Sequence, residues 1–400
     1  MGLCSAYYLR KAGHDVTIIG PADPAGDGCS HGNGGIIVPS HFTPIAAPGM
    51  VRAGLKMMLN RTSPFGFQSF TDLRLIGWVA QFLRHANASH VARCAPILAE
   101  LNLESRALYE ELITDLDVAA GYGQRGLLML CETEHGLHEE SEMATVANRY
   151  GLKTRIVDQK ALAELEPNVQ ARVCGAVHFE DDAHLDPKRI MTGLQNWLLA
   201  NHVEWLSADV TGFARDQQTV HAAQTTAGDV HADAFVLAAG VWTCDLAAHL
   251  DFRMPLVAGR GFGFTVPAPN QPFRHPAILT EARVAITPMP DGTRFVGTME
   301  LGRPEIRPDS PRVLGMKQAI SRAFPAYDSP TLHQRLWCGL RPCSPDGMPY
   351  LGRTERYRNV LVSAGHAMMG LSLGPISGKI ICRVLEGENT HHELKPDRFG

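Results

Sequence analysis

The chain has 400 residues, 45% hydrophobic and 20% charged, with 38 glycines and 26 prolines, a globular composition that excludes wholesale disorder and collagen-like repeats. Lys and Arg total 37 against 41 for Asp and Glu, a formal charge of -4, which disfavours a nucleic-acid binder built on phosphate contacts. The length allows two or three domains, and the longest apolar stretches, such as 234–242, fall far short of the roughly 20 residues that cross a bilayer.

The nine cysteines (Cys4, Cys29, Cys94, Cys131, Cys174, Cys244, Cys338, Cys343 and Cys382) are scattered and odd in number, and no two form a Cys-x-x-Cys pair. The pattern reads as reduced thiols in a cytoplasmic protein, not a disulfide framework or a zinc site. No basic n-region precedes an apolar core, so no signal peptide is expected. None of the 18 histidines stands in a His-Glu-x-x-His arrangement, and His391-His392 lie in a polar tail where no metal is expected.

In chain order, Leu3, Ala6, Tyr7 and Arg10 share one face of a helix that Gly13 closes. Val16 to Ile19 is a β-branched run and predicts a buried strand. The chain thus opens helix, turn, strand, whereas a parallel sheet normally starts with a strand; a first strand is expected to be missing ahead of Met1. The run Gly28-Cys29-Ser30-His31-Gly32-Asn33-Gly34-Gly35 is of the kind that brings backbone close to a ligand. Residues 41–70 are punctuated by Pro and Gly around a short helix near 51–59, residues 72–85 and 96–114 carry amphipathic helical patterns, 127–131 is strand-like and 136–149 is a polar helix. A second βα register begins near Gly175, where Asp186 caps a helix with Pro187 in its first turn and Ile190, Leu194, Trp197 and Leu198 on its apolar stripe. Phe235 to Ala239 predicts a buried strand closed by Gly240, and residues 253–300 alternate turns with short strands as an antiparallel sheet does. A strand at Val360 to Ser363, a glycine-rich turn from Gly365 to Gly370 and a helix lined by Ile376, Ile380 and Val384 follow.

Gly2, opening a helix that leads to a second strand, matches the third glycine of Gly-x-Gly-x-x-Gly, which allows close helix–strand packing and leaves the helix N-terminus to a pyrophosphate. From Gly2-Leu3-Cys4-Ser5-Ala6-Tyr7-Tyr8-Leu9 onward the chain resembles the FAD-dependent D-amino-acid oxidase and dehydrogenase superfamily, most of all its bacterial D-amino-acid dehydrogenases. The likeness continues through Ser30-His31-Gly32-Asn33-Gly34-Gly35, Val236 to Trp242, Gly339-Leu340-Arg341-Pro342, Pro345 to Gly352 and Gly365 to Pro375, in the family's order over nearly the whole chain.

The resemblance implies an α/β plus β architecture: a Rossmann-like FAD-binding domain, its first strand missing, from residues 1–45, 150–250 and 335–400, and a substrate domain built on a mixed or antiparallel sheet from 46–149 and 251–334. It implies oxidation of a D-amino acid to an imino acid, which hydrolyses to a 2-oxo acid and ammonia. Electrons would pass to a quinone or another carrier, with oxygen left open. A carboxylate is best received by a planar, permanently charged, bidentate donor, and Arg341 stands where the family binds the substrate carboxylate. Gly2, Ser30, Asn33, Gly34, Gly240, Gly365, His366, Gly370, Leu371 and Ser372 are the candidate cofactor contacts. The turn before the last helix is aimed in the family at the flavin N1–C2=O edge, where a helix dipole stabilises negative charge. His366 is either a polar contact near the ring or a packed loop histidine. No general base is required if orientation is enforced. Tyr109, Tyr122 and Tyr350 are unranked candidates for a second carboxylate contact.

One further departure is Gly20. An acid normally ends the second strand and binds the adenosine ribose; here Gly20 stands there, and either Asp23 substitutes from a displaced loop or the ribose has no acid to bind it. Two alternatives stay open: oxidation of a cyclic secondary amine such as D-proline or hydroxy-D-proline, and a flavin-free, non-catalytic remnant. A nicotinamide dehydrogenase is disfavoured by the C-terminal motif spacing. Residues 44–85 mix apolar and basic side chains and form either a buried helix pair or a membrane-surface segment, so the expected location is cytoplasmic or peripheral on the cytoplasmic face of the membrane, with no transmembrane segment.

Overall fold

A computed structural model describes residues 1–23, 28–69, 71–267, 273–307, 309–327 and 335–399. It begins with α1 (Gly2–Lys11), closed by Gly13 at φ +95, and β1 (Thr17–Gly20). After β2 (Ile36–Ile37), α2 (Met50–Met58) and β3 (Phe65–Phe67) come α3 (Leu73–His85) and α4 (Ala88–Leu116), whose caps Asp72 and Asn87 accept from the N–H groups of Arg74 and His90. The α4 pattern predicted a start at 96, the position of Pro96; the helix instead begins at Ala88 and runs through that proline. Next are β4 (Leu127–Cys131), α5 (Glu134–Arg149), β5 (Thr154–Val157), α6 (Gln159–Leu165), β6 (Gly175–Phe179), β7 (Ala183–His184) and α7 (Pro187–Ala200), capped by Asp186 as expected. β8 (Glu204–Ser207) is followed by the antiparallel β9 (Val210–Arg215), β10 (Val220–Thr225) and β11 (Gly228–His231), which the sequence pattern did not resolve. The remainder is β12 (Phe235–Leu237), α8 (Thr243–His249), β13 (Val257–Val266), β14 (Ala277–Leu279), β15 (Val284–Met289), β16 (Gly292–Gly302), α9 (Pro311–Ala323), β17 (Trp337–Cys343), β18 (Tyr350–Arg353), β19 (Val360–Ala364) and α10 (Gly374–Leu385).

Two bodies of sheet follow. Strands β17-β13-β16-β15-β14-β4-β6-β5, with β3 beside β16, form one nine-stranded sheet. Its β13 to β17 region is antiparallel as predicted, but β14 with β4 and β3 with β16 pair in parallel, so the sheet is mixed. Strands β5, β6 and β17, which the sequence boundaries placed with the cofactor segments, hydrogen-bond into this sheet.

The parallel layer is in two pieces. β1 pairs with β8, and β12 with β19; among the described residues no strand joins β1 to β12. Both pieces still share cores: Val16 and Val236 border the same cluster, which includes Leu361, and Ile19 borders the one that holds Phe235 and Val362. The predicted gap is therefore present, and α1 stands beside it: a Cβ on Gly2 would lie 3.6 Å from Ala238 at the end of β12.

Helix α1 buries Cys4, Ala6, Tyr7 and Leu9 and crosses α10 backbone to backbone. A Cβ on Gly378 would lie 2.5 Å from the Cys4 backbone, and one on Gly374 would lie 3.8 Å from the Met1 side chain. The crossing sets the N-termini of α1 and α10 side by side. Gly378→Ala is expected to lower stability by about 1–3 kcal/mol through overpacking of a backbone contact that cannot yield. Urea denaturation checks it; an unchanged midpoint would mean the helices are not held at this point.

Candidate functional site

The site assembles on one face of β17. Along β13, Gly259, Gly261 and Gly263 pair with Arg341, Gly339 and Trp337, and by strand alternation all six share one side of the sheet. The glycines leave a floor without side chains. The Arg341 guanidinium occupies it so closely that a Cβ on Gly261 would lie 1.9 Å from Nη1. The Trp337 ring fills the other end, where a Cβ on Gly339 or Gly32 would lie 2.2 or 2.1 Å from it.

Three of the predicted cofactor segments meet this strand. The loop 28–35 lies across the sheet face: Gly32 sits under Trp337, Gly34 faces Ala285 and Val296, the Gly34 carbonyl accepts from Thr287 Oγ1 at 2.5 Å, and the Asn33 carbonyl accepts from Arg294 Nη1 at 3.1 Å. The Gly240 turn, at φ +60, reaches β17 through Val241 packed on Ala258 and Leu340. The Gly365 turn, at φ +79, reaches it through a bridge between Cys343 and His366. Ser30 is the outlier: its side chain is exposed, and its carbonyl accepts from the Asn33 N–H.

The electrostatics of Arg341 are unusual. The side chain is half-buried, donates Nη1 to the Thr298 carbonyl at 2.9 Å, and has no carboxylate partner among the described residues. Cys29, Cys338 and Cys343 are close enough to feel its charge, but burial outweighs that pull: the Cys343 thiol is pushed up to about 12 and the other two are also raised. They stay neutral and do not compensate the guanidinium. The buried Glu300 is on the other face and already engaged. It accepts from Arg260 at 2.9 and 2.6 Å, from Arg312 Nε at 3.1 Å and from Ser310 Oγ at 2.7 Å.

The turn before α10 is built for donation. The Leu371 carbonyl accepts from Tyr109 Oη and the Ser372 carbonyl from Ser105 Oγ, both at 2.6 Å, while the N–H groups of Leu371 and Ser372 find no acceptor among the described residues. The hydroxyl of Ser372, a candidate cofactor residue, is taken: it accepts from the Val38 N–H and donates to Asn102 Oδ1. Only the Ser372 backbone is open to a ligand. His366 is 2% exposed, with Nε2 on Ser377 Oγ at 2.9 Å and Nδ1 buried without a partner. Burial, with the amino-terminal charge of Met1, holds its pKa at about 3, so the ring is neutral at physiological pH.

The tyrosines are corrected by the same accounting. Tyr109 is bound to Leu371, Tyr350 is buried with its hydroxyl on the Pro255 carbonyl, and Tyr122 accepts from Gln124 within the α1/α7 cluster. The hydroxyl protons of Tyr109 and Tyr350 are thus engaged elsewhere, whereas the contact with Gln124 leaves that of Tyr122 free to donate. The sequence pattern did not single out Trp337, Thr298 or the glycine floor. The floor had a signal in Gly259-Arg260-Gly261-Phe262-Gly263, where alternating glycines strip one strand face.

The residues fit a flavin dinucleotide in two of its parts. The first-turn N–H groups of α1 carry no side-chain cap and suit a pyrophosphate. The donors at Leu371 and Ser372 and the orphaned His366 nitrogen suit the polar edge of the ring. At the ribose part, Gly20 ends β1 with nothing within 4 Å of where a Cβ would stand, so the strand end itself supplies no acid. Gly20→Glu is therefore expected to tighten FAD binding roughly tenfold or more, since a charged hydrogen bond contributes about 1.5–3 kcal/mol. Titration followed by flavin fluorescence reads it; an unchanged Kd would mean that the ribose is held elsewhere.

Residues 1–384 match the family described as FAD dependent oxidoreductase. A D-amino acid dehydrogenase of Helicobacter pylori is 28% identical over 386 residues, covering 96% of this chain and 92% of the relative. One from Granulibacter bethesdensis is 27% identical over 409 residues, covering 100% and 97%. Among solved structures, glycine oxidase from Geobacillus kaustophilus superposes with a TM-score of 0.79 at 20% identity, over 99% of this chain and 95% of that one. L-proline dehydrogenase from P. horikoshii gives a TM-score of 0.75 at 17% identity, over 100% and 94%. These two carry the fold, and the match over residues 1–384 carries the family: the chain belongs to the FAD-dependent oxidoreductases.

Proposed function

We propose that the protein oxidises a D-amino acid to a 2-oxo acid and ammonia, with Arg341 as the receptor for the substrate carboxylate. The observation that carries this reading is the uncompensated guanidinium: a half-buried, permanently charged fork with one nitrogen engaged and no carboxylate partner among the described residues. The curated relatives named D-amino acid dehydrogenase support the substrate class. Bound FAD supplies the acceptor for the hydride that leaves Cα. Gly2 and the α1 N-terminus would hold its pyrophosphate; Gly240, Gly365, Gly370, Leu371, Ser372 and His366 would surround the ring, with Asn33 and Gly34 on the opposite wall. Arg341 fixes the substrate by its carboxylate, so the amine and the Cα–H take a set direction without a protein base. Trp337 and the glycine floor exclude water from one side. The two-unit division remains part of this proposal, with β5, β6 and β17 assigned to the sheet unit.

In flavin-loaded protein, Arg341→Ala is expected to lower kcat/KM for D-amino acids by roughly two to four orders of magnitude, since removing one partner of a desolvated charge pair costs about 3–5 kcal/mol. Arg341→Lys recovers only part of the loss, because a point charge does not reproduce the fork. Flavin content stays near that of the unaltered protein. Unchanged turnover of every D-amino acid would refute the assignment.

We further propose a quinone as electron acceptor and a peripheral, cytoplasmic-face location. Among the described residues no helix is long and apolar enough to cross a membrane. Helix α3, however, carries a second apolar stripe facing outward: Leu73, Ile76 and Leu83 are 82%, 51% and 52% exposed, at helical spacing opposite the buried Leu75 and Trp78. Trp242, 49% exposed, is brought close by the Arg74–Asp245 ion pair, and residues 28–71 contain no Asp or Glu. An apolar stripe flanked by arginines suits an anionic bilayer surface. Cosedimentation with phosphatidylglycerol-containing vesicles is expected, weakened by salt and by the triple change of Leu73, Ile76 and Leu83 to Gln. Failure to bind such vesicles, or binding indifferent to the triple change, would contradict this location.

A further inference from the structure

Strand β16 carries one residue whose backbone runs against the rest of the sheet. Thr298 has φ +66, in the left-handed region that a β-branched residue takes only under constraint. The ladder with β13 is regular on either side: Gly259 pairs with Leu301, Arg260 with Glu300, and Phe262 with Gly297. Between them Thr298 and Met299 together oppose Gly261, the two-against-one count of a β-bulge. The inversion leaves Thr298 Oγ1 buried with no partner. Two unfavourable local features are thus kept at one position.

What the bulge provides is a carbonyl. Released from the ladder, the Thr298 oxygen accepts from Arg341 Nη1 at 2.9 Å, the one hydrogen bond that the Arg341 side chain makes among the described residues. The guanidinium is pressed onto Gly261, the residue opposite the bulge. With Nη1 pinned, Nε and Nη2 remain as one free edge of a planar fork, the edge that binds a carboxylate bidentately.

We propose that the Thr298 bulge is the positioning device for Arg341: its inverted carbonyl orients the guanidinium so that the Nε–Nη2 edge is presented to the substrate carboxylate. Thr298 is a positioning residue, acting through Arg341, and the proposal rests on the assignment of Arg341 to that carboxylate.

The test is the affinity of a simple carboxylate, benzoate, for flavin-loaded protein, read from the perturbation of flavin absorbance. Thr298→Pro holds φ near about -65° and turns the carbonyl away. Gly261→Ala pushes Nη1 off its seat and leaves the bulge untouched. Each is expected to raise the benzoate Kd by about tenfold or more, as a displacement of about 1 Å does. Placed on Arg341→Ala, neither adds more than about twofold, because the group they orient is gone. Thr298→Gly reaches positive φ without strain and is the conservative rescue, with a Kd within about threefold of the unaltered protein. If Thr298→Pro does not fold, Gly261→Ala and its non-additivity with Arg341→Ala carry the test. An unchanged Kd in both variants, or losses that add in full to that of Arg341→Ala, overturns the proposal. If Arg341→Ala itself leaves benzoate binding unchanged, the carboxylate assignment fails; if it abolishes binding while the positioning variants do not weaken it, the positioning role alone fails.

Discussion

A guanidinium taken partly out of water with no carboxylate partner among the described residues is the constraint on which the site turns. Such a group is costly to hold and is tolerated when an anion arrives from outside. The described groups around Arg341 leave its charge uncancelled. The three nearby thiols are kept protonated by burial, Glu300 on the other face is engaged by Arg260 and Arg312, and the one acceptor among the described residues is a backbone carbonyl. A carbonyl orients a guanidinium without cancelling its charge.

The same strand organises the rest of the molecule. β17 is an edge strand of the nine-stranded sheet, yet the cofactor-side segments reach it through Gly32, Val241 and His366. The α1–α10 crossing at Gly378 then fixes where the two helix N-termini lie relative to those segments. The proposed dinucleotide and carboxylate sites are thus linked through backbone contacts at glycines, in keeping with the glycines that mark most of the motifs. The parallel layer that would back the dinucleotide is divided between β1 and β12, and the open Gly20 lies at the end of the same piece.

Much of this was legible from residues. Asp186 with Pro187 fixed the start of α7 because a side-chain cap and a proline in the first turn are local signals. Arg341, Gly240 and the Gly365 turn were singled out by residue type and motif, and the structure brings these segments together at β17. What could not be read depended on pairing. Nothing local distinguishes Thr298 from any strand threonine, since its φ follows from a register shift between two strands about 35 residues apart. Strand β17 was grouped with the cofactor segments by sequence proximity, although its hydrogen bonds go to β13. That the Ser372 hydroxyl is occupied by Val38 and Asn102, leaving only its backbone to a ligand, depends on partners more than 250 residues away and is not visible in the sequence.

The most direct measurement compares two matched probes, benzoate and its neutral isostere benzamide, by equilibrium titration of the flavin-loaded protein. If Arg341 is an uncompensated charge awaiting a carboxylate, benzoate should bind roughly 100-fold more tightly, the range expected for charge-assisted hydrogen bonds. Equal affinity for the two would contradict the account.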